Sequence, residues 1–161
     1  GVEFSMKNTK FDIYNKRVLI LGAGGVVPSI VFTLKKMKVS NIIICNRTKG
    51  KAEILKELFR DLTIVEWGDN IKFDMIINAT SVGLNKNDEI NLNFLNNEKG
   101  KFFYDVIYNP KETNFLKKAK KLGNLIKNGK EMFIYQAASA FKIWHGIQPK
   151  ISENIYKIID Q

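Results

Sequence analysis

The sequence predicts an α/β protein, doubly wound around a mostly parallel sheet with helices on both faces. Three observations carry that reading. Short apolar, β-branched runs alternate with segments of helical periodicity along the chain. The runs are nearly continuous in apolar residues, as strands buried on both faces are. The first run ends in a cluster of glycines that opens the first long helical segment. Buried strands that alternate with helices pair in parallel through right-handed crossovers.

The elements follow in order. Arg17–Leu21 reads as a buried strand, and residues 26–37 as a helix with Ile30, Val31, Leu34 and Met37 on one face. Asn41–Cys45 is the second strand. Residues 49–59 form the second helix, with Ala52, Leu55 and Phe59 inward. Strands are expected over 63–66, 75–78 and 102–107, a helix over 114–122, and a short strand over 125–127. Two helices close the chain, over 132–144 and 152–159, with Ser152 placed to cap the last.

Composition narrows the function. The chain has 161 residues, enough for one domain, and no repeat or Pro- or Gly-rich linker divides it. A single cysteine excludes an internal disulfide framework and suits a reducing compartment. No apolar run approaches a membrane span and no leader pattern is evident, so a cytoplasmic location and no membrane partner are expected. The net charge of +10 comes from 26 basic and 16 acidic side chains. The densest lysine groups, at 35–38 and 117–121, sit on helical segments with no aromatic residues interleaved to stack on bases. They read as solvated helix faces, and no nucleic-acid partner is expected. No metal ligand set is evident.

The glycine turn carries the first chemical signal. Gly22, Ala23, Gly24, Gly25, Val26 and Val27 follow the first strand and open the first helix. Gly22 permits a tight turn, and Gly24 lets the backbone approach a pyrophosphate. The helix start offers free N–H groups and a positive dipole end. Val27 stands where a third glycine is usual, and Pro28 is tolerated because the first turn has no N–H bonds to lose. In its strand–turn–helix context the motif predicts a Rossmann-like dinucleotide site.

The end of the second strand selects the dinucleotide. A protein that binds the ribose 2′-OH places an acidic residue there. This chain has Asn46, Arg47 and Thr48, with Lys51 one turn on. Arg47 offers a planar fork suited to a phosphate, Thr48 a hydroxyl and Lys51 a second positive charge. The expected cofactor is NADP(H). The plainer reading has Asn46 capping the helix and Arg47 merely solvated.

With these residues in place, the chain resembles the shikimate dehydrogenases. Residues 22–27 are similar to that family's glycine turn, and Asn46, Arg47, Thr48 and Lys51 to its NADP-selecting turn. Residues 78–83 (Asn-Ala-Thr-Ser-Val-Gly), with Thr80, resemble its loop beside the nicotinamide half. Residues 104–110 (Tyr-Asp-Val-Ile-Tyr-Asn-Pro) with Thr113 resemble the lining of its cleft. Gly129, Met132, residues 136–141 and Trp144 resemble its closing segment.

The resemblance implies an enzyme that reduces 3-dehydroshikimate to shikimate with NADPH, in aromatic amino-acid biosynthesis. It places Val106 and Gly129 at the nicotinamide end, Met132 on the cleft wall, and Tyr108 and Gln136 toward substrate. Tyr135 stands where the family commonly has histidine. His145 and Cys45 are given no role. The resemblance also implies a lysine–aspartate acid–base pair in an N-terminal substrate domain, with this chain beginning just after that aspartate. Residues 1–161 are then one NADP-binding domain, the C-terminal part of a longer enzyme. Its helices over about 132–161 are expected to pack toward the other domain. Lys130 and Glu131 are adjacent on a helix and do not share a face. No catalytic residue is therefore expected in this chain, and it should be inactive alone. Phe141, Trp144, Ile151, Ile155 and Ile158 are expected to be partly exposed, open to a homodimer or other self-association. Alternatives are a quinate-acting paralogue, the NADPH domain of glutamyl-tRNA reductase, and a non-catalytic NADP-sensing module.

Overall fold

The chain's computed structural model describes residues 1–160. A short helix α1 (Val2–Lys7) precedes strand β1 (Arg17–Leu21). Then come α2 (Val27–Lys36), β2 (Asn41–Cys45), α3 (Lys49–Leu58), β3 (Thr63–Val65) and β4 (Met75–Asn78). A 3₁₀ turn (Asn93–Asn96) leads to β5 (Phe102–Asp105), α4 (Asn114–Lys121), β6 (Leu125–Lys127), α5 (Lys130–His145) and α6 (Glu153–Ile159).

The six strands form one sheet in the order β3-β2-β1-β4-β5-β6, and every pairing is parallel. The chain winds outward from β1 to β3, then returns to β4 on the other side of β1. Between β1 and β4 the direction of winding reverses, and ligands of such sheets bind at that switch point.

Alternate strand residues point to opposite faces, so each strand feeds two cores. Val18, Ile20, Ile44, Ile77 and Tyr104 pack with Ile30, Val31 and Leu34 of α2, Ala52 and Leu55 of α3, and Met132 of α5. Leu19, Leu21, Ile43, Ile76 and Phe103 pack on the other face with Phe115, Leu116 and Ala119 of α4. There the irregular segment before β5 supplies Ile90, Leu92 and Leu95. The expected double winding is present, but one face carries four helices and the other is closed by one helix and a loop. Phe59, expected inward, is only half-buried.

Other departures from the sequence reading are local. The sequence gives no sign of α1; it buries Val2, Ser5 and Met6, and Ser5 Oγ lies 3.0 Å from the Tyr104 hydroxyl. Strand β5 stops at Asp105, two residues early, because the Asp105 carboxylate accepts the Ile107 N–H at 3.0 Å and bends the chain. Ser152 occupies the N-cap of α6, yet its side chain makes no capping bond. Helix α6 buries no residue. Phe141, Trp144 and Ile158 are exposed as expected, Trp144 by 78%, while Ile151 and Ile155 are half-buried.

At the opposite edge from the switch point, Arg17 clamps Asp74. Its Nε and Nη2 donate to the two carboxylate oxygens at 3.0 Å, and its backbone N–H adds a third bond at 2.8 Å. The guanidinium beside it holds the Asp74 carboxyl down to about 2. A depressed carboxylate stabilises the fold above its unfolded value and loses that contribution as pH falls toward the folded value. Asp74→Asn should cost about 1 kcal/mol at neutral pH, a modest figure because the pair is partly solvated. In urea unfolding, the gap to the unaltered chain should close as pH drops from 5 toward 2.

Candidate functional site

The C-terminal ends of β1, β2 and β4 meet at Gly22. Its N–H donates to the Cys45 carbonyl at 2.8 Å, and the Ala79 N–H donates to the Leu21 carbonyl at 2.8 Å. Gly22 has φ 106°, and a Cβ there would sit 2.9 Å from the Ala79 carbonyl oxygen and 3.1 Å from Thr80 Cγ2. No side chain fits at that position. Gly24 and Gly25 differ: both are exposed, and nothing lies within 4 Å of where their Cβ atoms would stand.

Helix α2 begins without a side-chain cap. Val27 N–H bonds the Gly24 carbonyl at 3.0 Å, but among the described residues the N–H groups of Gly24, Gly25 and Val26 have no acceptor. Free amides at a helix N-terminus beside an open glycine surface suit a pyrophosphate. Pro28 lies in the first turn, and Val27 is fully buried in the core beneath the helix.

The turn after β2 is the second half of the site. Asn46 does not cap α3; its Nδ2 donates to the Thr48 carbonyl at 2.7 Å and holds the turn. Thr48 is the N-cap residue, and its hydroxyl makes no capping bond. Arg47 and Lys51 are exposed, and among the described residues neither is in an ion pair. The Arg47 guanidinium lies 5.0 Å from the centre of the Trp67 ring. It borders a cavity of about 610 Å³ on the β3 side and another of about 570 Å³ on the side of the loop after β4.

That loop is built on buried polar groups. Asn78 Nδ2 donates to the Val82 carbonyl at 3.0 Å and to Asp105 at 3.1 Å. Asn78 Oδ1 accepts the Thr80 N–H at 3.1 Å and the Thr80 hydroxyl at 2.6 Å, so Thr80 shapes the loop. The Asp105 carboxylate also accepts from Ile107 N–H and from the Thr113 hydroxyl at 2.6 Å. Burial pushes Asp105 up to about 6, against the three donors that favour its charge.

The remaining predicted residues lie at the start of α5. Gly129 packs directly on the chain at Val106, so that any Cβ would overlap the Val106 carbonyl. Met132 is buried in the core of the same face of the sheet. Tyr108 stacks on Phe133 with ring centres 4.7 Å apart. Gln136 is exposed three residues after Phe133, on the same helix face, so Tyr108 and Gln136 share one side of α5. Tyr135 stacks on Phe4 at 5.1 Å instead.

Lys130 and Glu131 diverge as expected. Lys130 pairs with Asp160 at 2.6 Å beneath the Tyr156 ring, and Glu131 pairs with Lys127 at 2.7 Å. Cys45 is buried and its thiol pushed up to about 11, which keeps it unreactive. Among the described residues no His, Cys, Asp or Glu cluster could hold a metal, and no helix is long and apolar enough to cross a membrane. The packing partner of Arg47 and the role of Asp105 are not legible in the sequence. Both depend on which strands are neighbours, which no local pattern shows.

The strand order, the unpaired amides at the head of α2 and the basic turn at the end of β2 define a dinucleotide-binding α/β domain. The family model described as shikimate / quinate 5-dehydrogenase matches residues 5–114, and that of the shikimate 5'-dehydrogenase C-terminal domain matches 129–153. The chain belongs to the shikimate / quinate 5-dehydrogenase family. It is 54% identical over 160 residues to the shikimate dehydrogenase (NADP(+)) of Pelagibacter ubique, spanning 99% of this chain and 60% of that protein. The shikimate dehydrogenase structure from Aquifex aeolicus matches with a TM-score of 0.81 and 32% identity, over 98% of this chain and 59% of that one. A shikimate dehydrogenase in complex with NADP+ matches with a TM-score of 0.80 and 32% identity, over 98% of this chain and 58% of that one.

Two outcomes follow from the site's packing. Gly129→Ala forces α5 away from Val106 and should lower the melting temperature and disturb the Tyr108–Gln136 side together. Asp105 binds its proton more tightly folded than unfolded, so its contribution to stability falls as pH rises from the ordinary aspartate range through about 6. Asp105→Asn, with the Thr113 hydroxyl turning to accept, should remove that decline, worth up to about 3 kcal/mol. Parallel pH–stability curves for the two chains would refute it.

Proposed function

We propose that this chain is the cofactor-binding part of an NADP-dependent shikimate dehydrogenase, which reduces 3-dehydroshikimate to shikimate. The carrying observation is the turn after β2: Arg47, Thr48 and Lys51 stand where a carboxylate would select a free ribose, and among the described residues none of them is paired with a charged side chain. The identity to a relative named for NADP(+) supports the same reading.

Each group then has a task. The Gly24, Gly25 and Val26 amides hold the pyrophosphate. Arg47, Thr48 and Lys51 hold the 2′-phosphate. Gly129, having no side chain, lets the start of α5 sit directly against the Val106 carbonyl, beside where the nicotinamide end would lie. When bound, the cofactor supplies the hydride. Tyr108 and Gln136 can hydrogen-bond substrate hydroxyls without adding charge.

A carbonyl reduced to an alcohol also needs a proton donor. The described residues near Tyr108 and Gln136 offer no such pair, since Lys130 and Glu131 are tied to separate partners. The chain spans about 60% of the length of its relative. We assign the family's lysine–aspartate pair to the remainder, in a substrate-binding domain that would also cover the exposed part of α5. This chain alone should bind cofactor and turn over poorly or not at all.

Calorimetric titration tests the reading. The chain should bind NADPH in preference to NADH, and Arg47→Ala should weaken NADPH by roughly 10- to 100-fold, the loss of a charge-assisted phosphate contact. A preference for NADH would overturn it.

A further inference from the structure

We propose that Trp67 is a positioning residue for cofactor selection: its indole holds the Arg47 guanidinium at the end of β2, where a 2′-phosphate would meet it. The inference rests on the NADP reading above.

Register brings the two residues together. Strand β2 pairs β3 in parallel with Cys45 opposite Val65. Two residues beyond each strand end stand Arg47 and Trp67, which are therefore abreast on the same edge of the sheet. A tight turn fixes Trp67 there. Asp69 N–H bonds the Glu66 carbonyl at 3.2 Å, and Gly68 takes φ 101°, a conformation for which glycine is favoured. Cys45 Sγ donates to the same Glu66 carbonyl at 3.6 Å, tying this turn to β2. The result is the 5.0 Å separation between guanidinium and ring.

The charges around Arg47 explain why a ring is useful there. Glu53, Glu66 and Asp69 line the same cavity of about 610 Å³. An unrestrained Arg47 could fold onto one of them and be neutralised. Two are partly occupied: Glu66 lies 3.7 Å from Lys49 Nζ, and Asp69 Oδ2 accepts the Glu66 N–H at 3.0 Å. An indole face holds a cation without cancelling its charge. Arg47 thus keeps its donors for a phosphate, and it borders the second cavity, beside Ser81 and Val82, as well as the first.

The test is a double-mutant cycle on the full chain, with NADPH and NADH titrated by calorimetry. Trp67→Ala should weaken NADPH by roughly 3- to 10-fold and NADH by less than about twofold, and should add nothing in the Arg47→Ala background. Trp67→Phe should restore most of the affinity. A second readout guards against a poorly folded Trp67→Ala chain. The protein has two tryptophans, so in Trp144→Phe the emission comes from Trp67 alone. It should change on adding NADPH, and should need roughly 10- to 100-fold more NADPH to change when Arg47→Ala is also present. Equal weakening of both cofactors, full additivity with Arg47→Ala, or an emission indifferent to NADPH would overturn the role of Trp67 while the NADP reading stood. An unaltered chain with no preference for NADPH would bring down both.

Discussion

The ligand-facing edge depends on how β1 is locked between β2 and β4. Leu21 is level with Cys45 on one side and Asn78 on the other. Gly22 N–H to Cys45 and Ala79 N–H to Leu21 extend those ladders by one bond each. The three strands therefore end flush, and their loops leave from one line. The positive φ of Gly22 and the carbonyl of Ala79 against it leave no space for a side chain. The glycine turn, the basic turn and the loop at Thr80 all take their positions from this junction.

Polar order on the β4–β5 side rests on a second constraint. Asn78 and Asp105 end adjacent strands, are level in the parallel register, and are fully buried. Between them they satisfy the loop at Thr80–Val82, the bend at Ile107 and the Thr113 hydroxyl, which in turn caps α4. No buried side-chain polar atom among the described residues lacks a partner. The geometry costs something, since burial works against the Asp105 charge. A carboxylate so placed shapes two loops at once, which an apolar residue could not do.

Much of the fold is legible in the sequence because parallel strands buried on both faces leave continuous apolar runs, and β1, β2 and β4 begin and end where those runs do. The glycine and basic turns are legible because their chemistry needs particular residues at a fixed distance along the chain. Features set by contacts between distant segments are not. Helix α1 is six residues long and is held by α5 and Tyr104, not by its own periodicity. Strand β5 ends early because of a side chain that accepts a backbone N–H. Trp67 reads as an isolated aromatic until the β2–β3 register sets it beside Arg47. Met132, placed on a cleft wall by resemblance, is buried in the core of this chain.

We propose that the amides heading α2 and the turn after β2 form one cofactor site. Residue-resolved amide hydrogen exchange, with and without NADPH, tests it most directly. Added protection is expected at Gly24, Gly25 and Val26 and across residues 47–51, with little change at β3 and β6. Protection confined to other segments, or none at a saturating concentration, would contradict it.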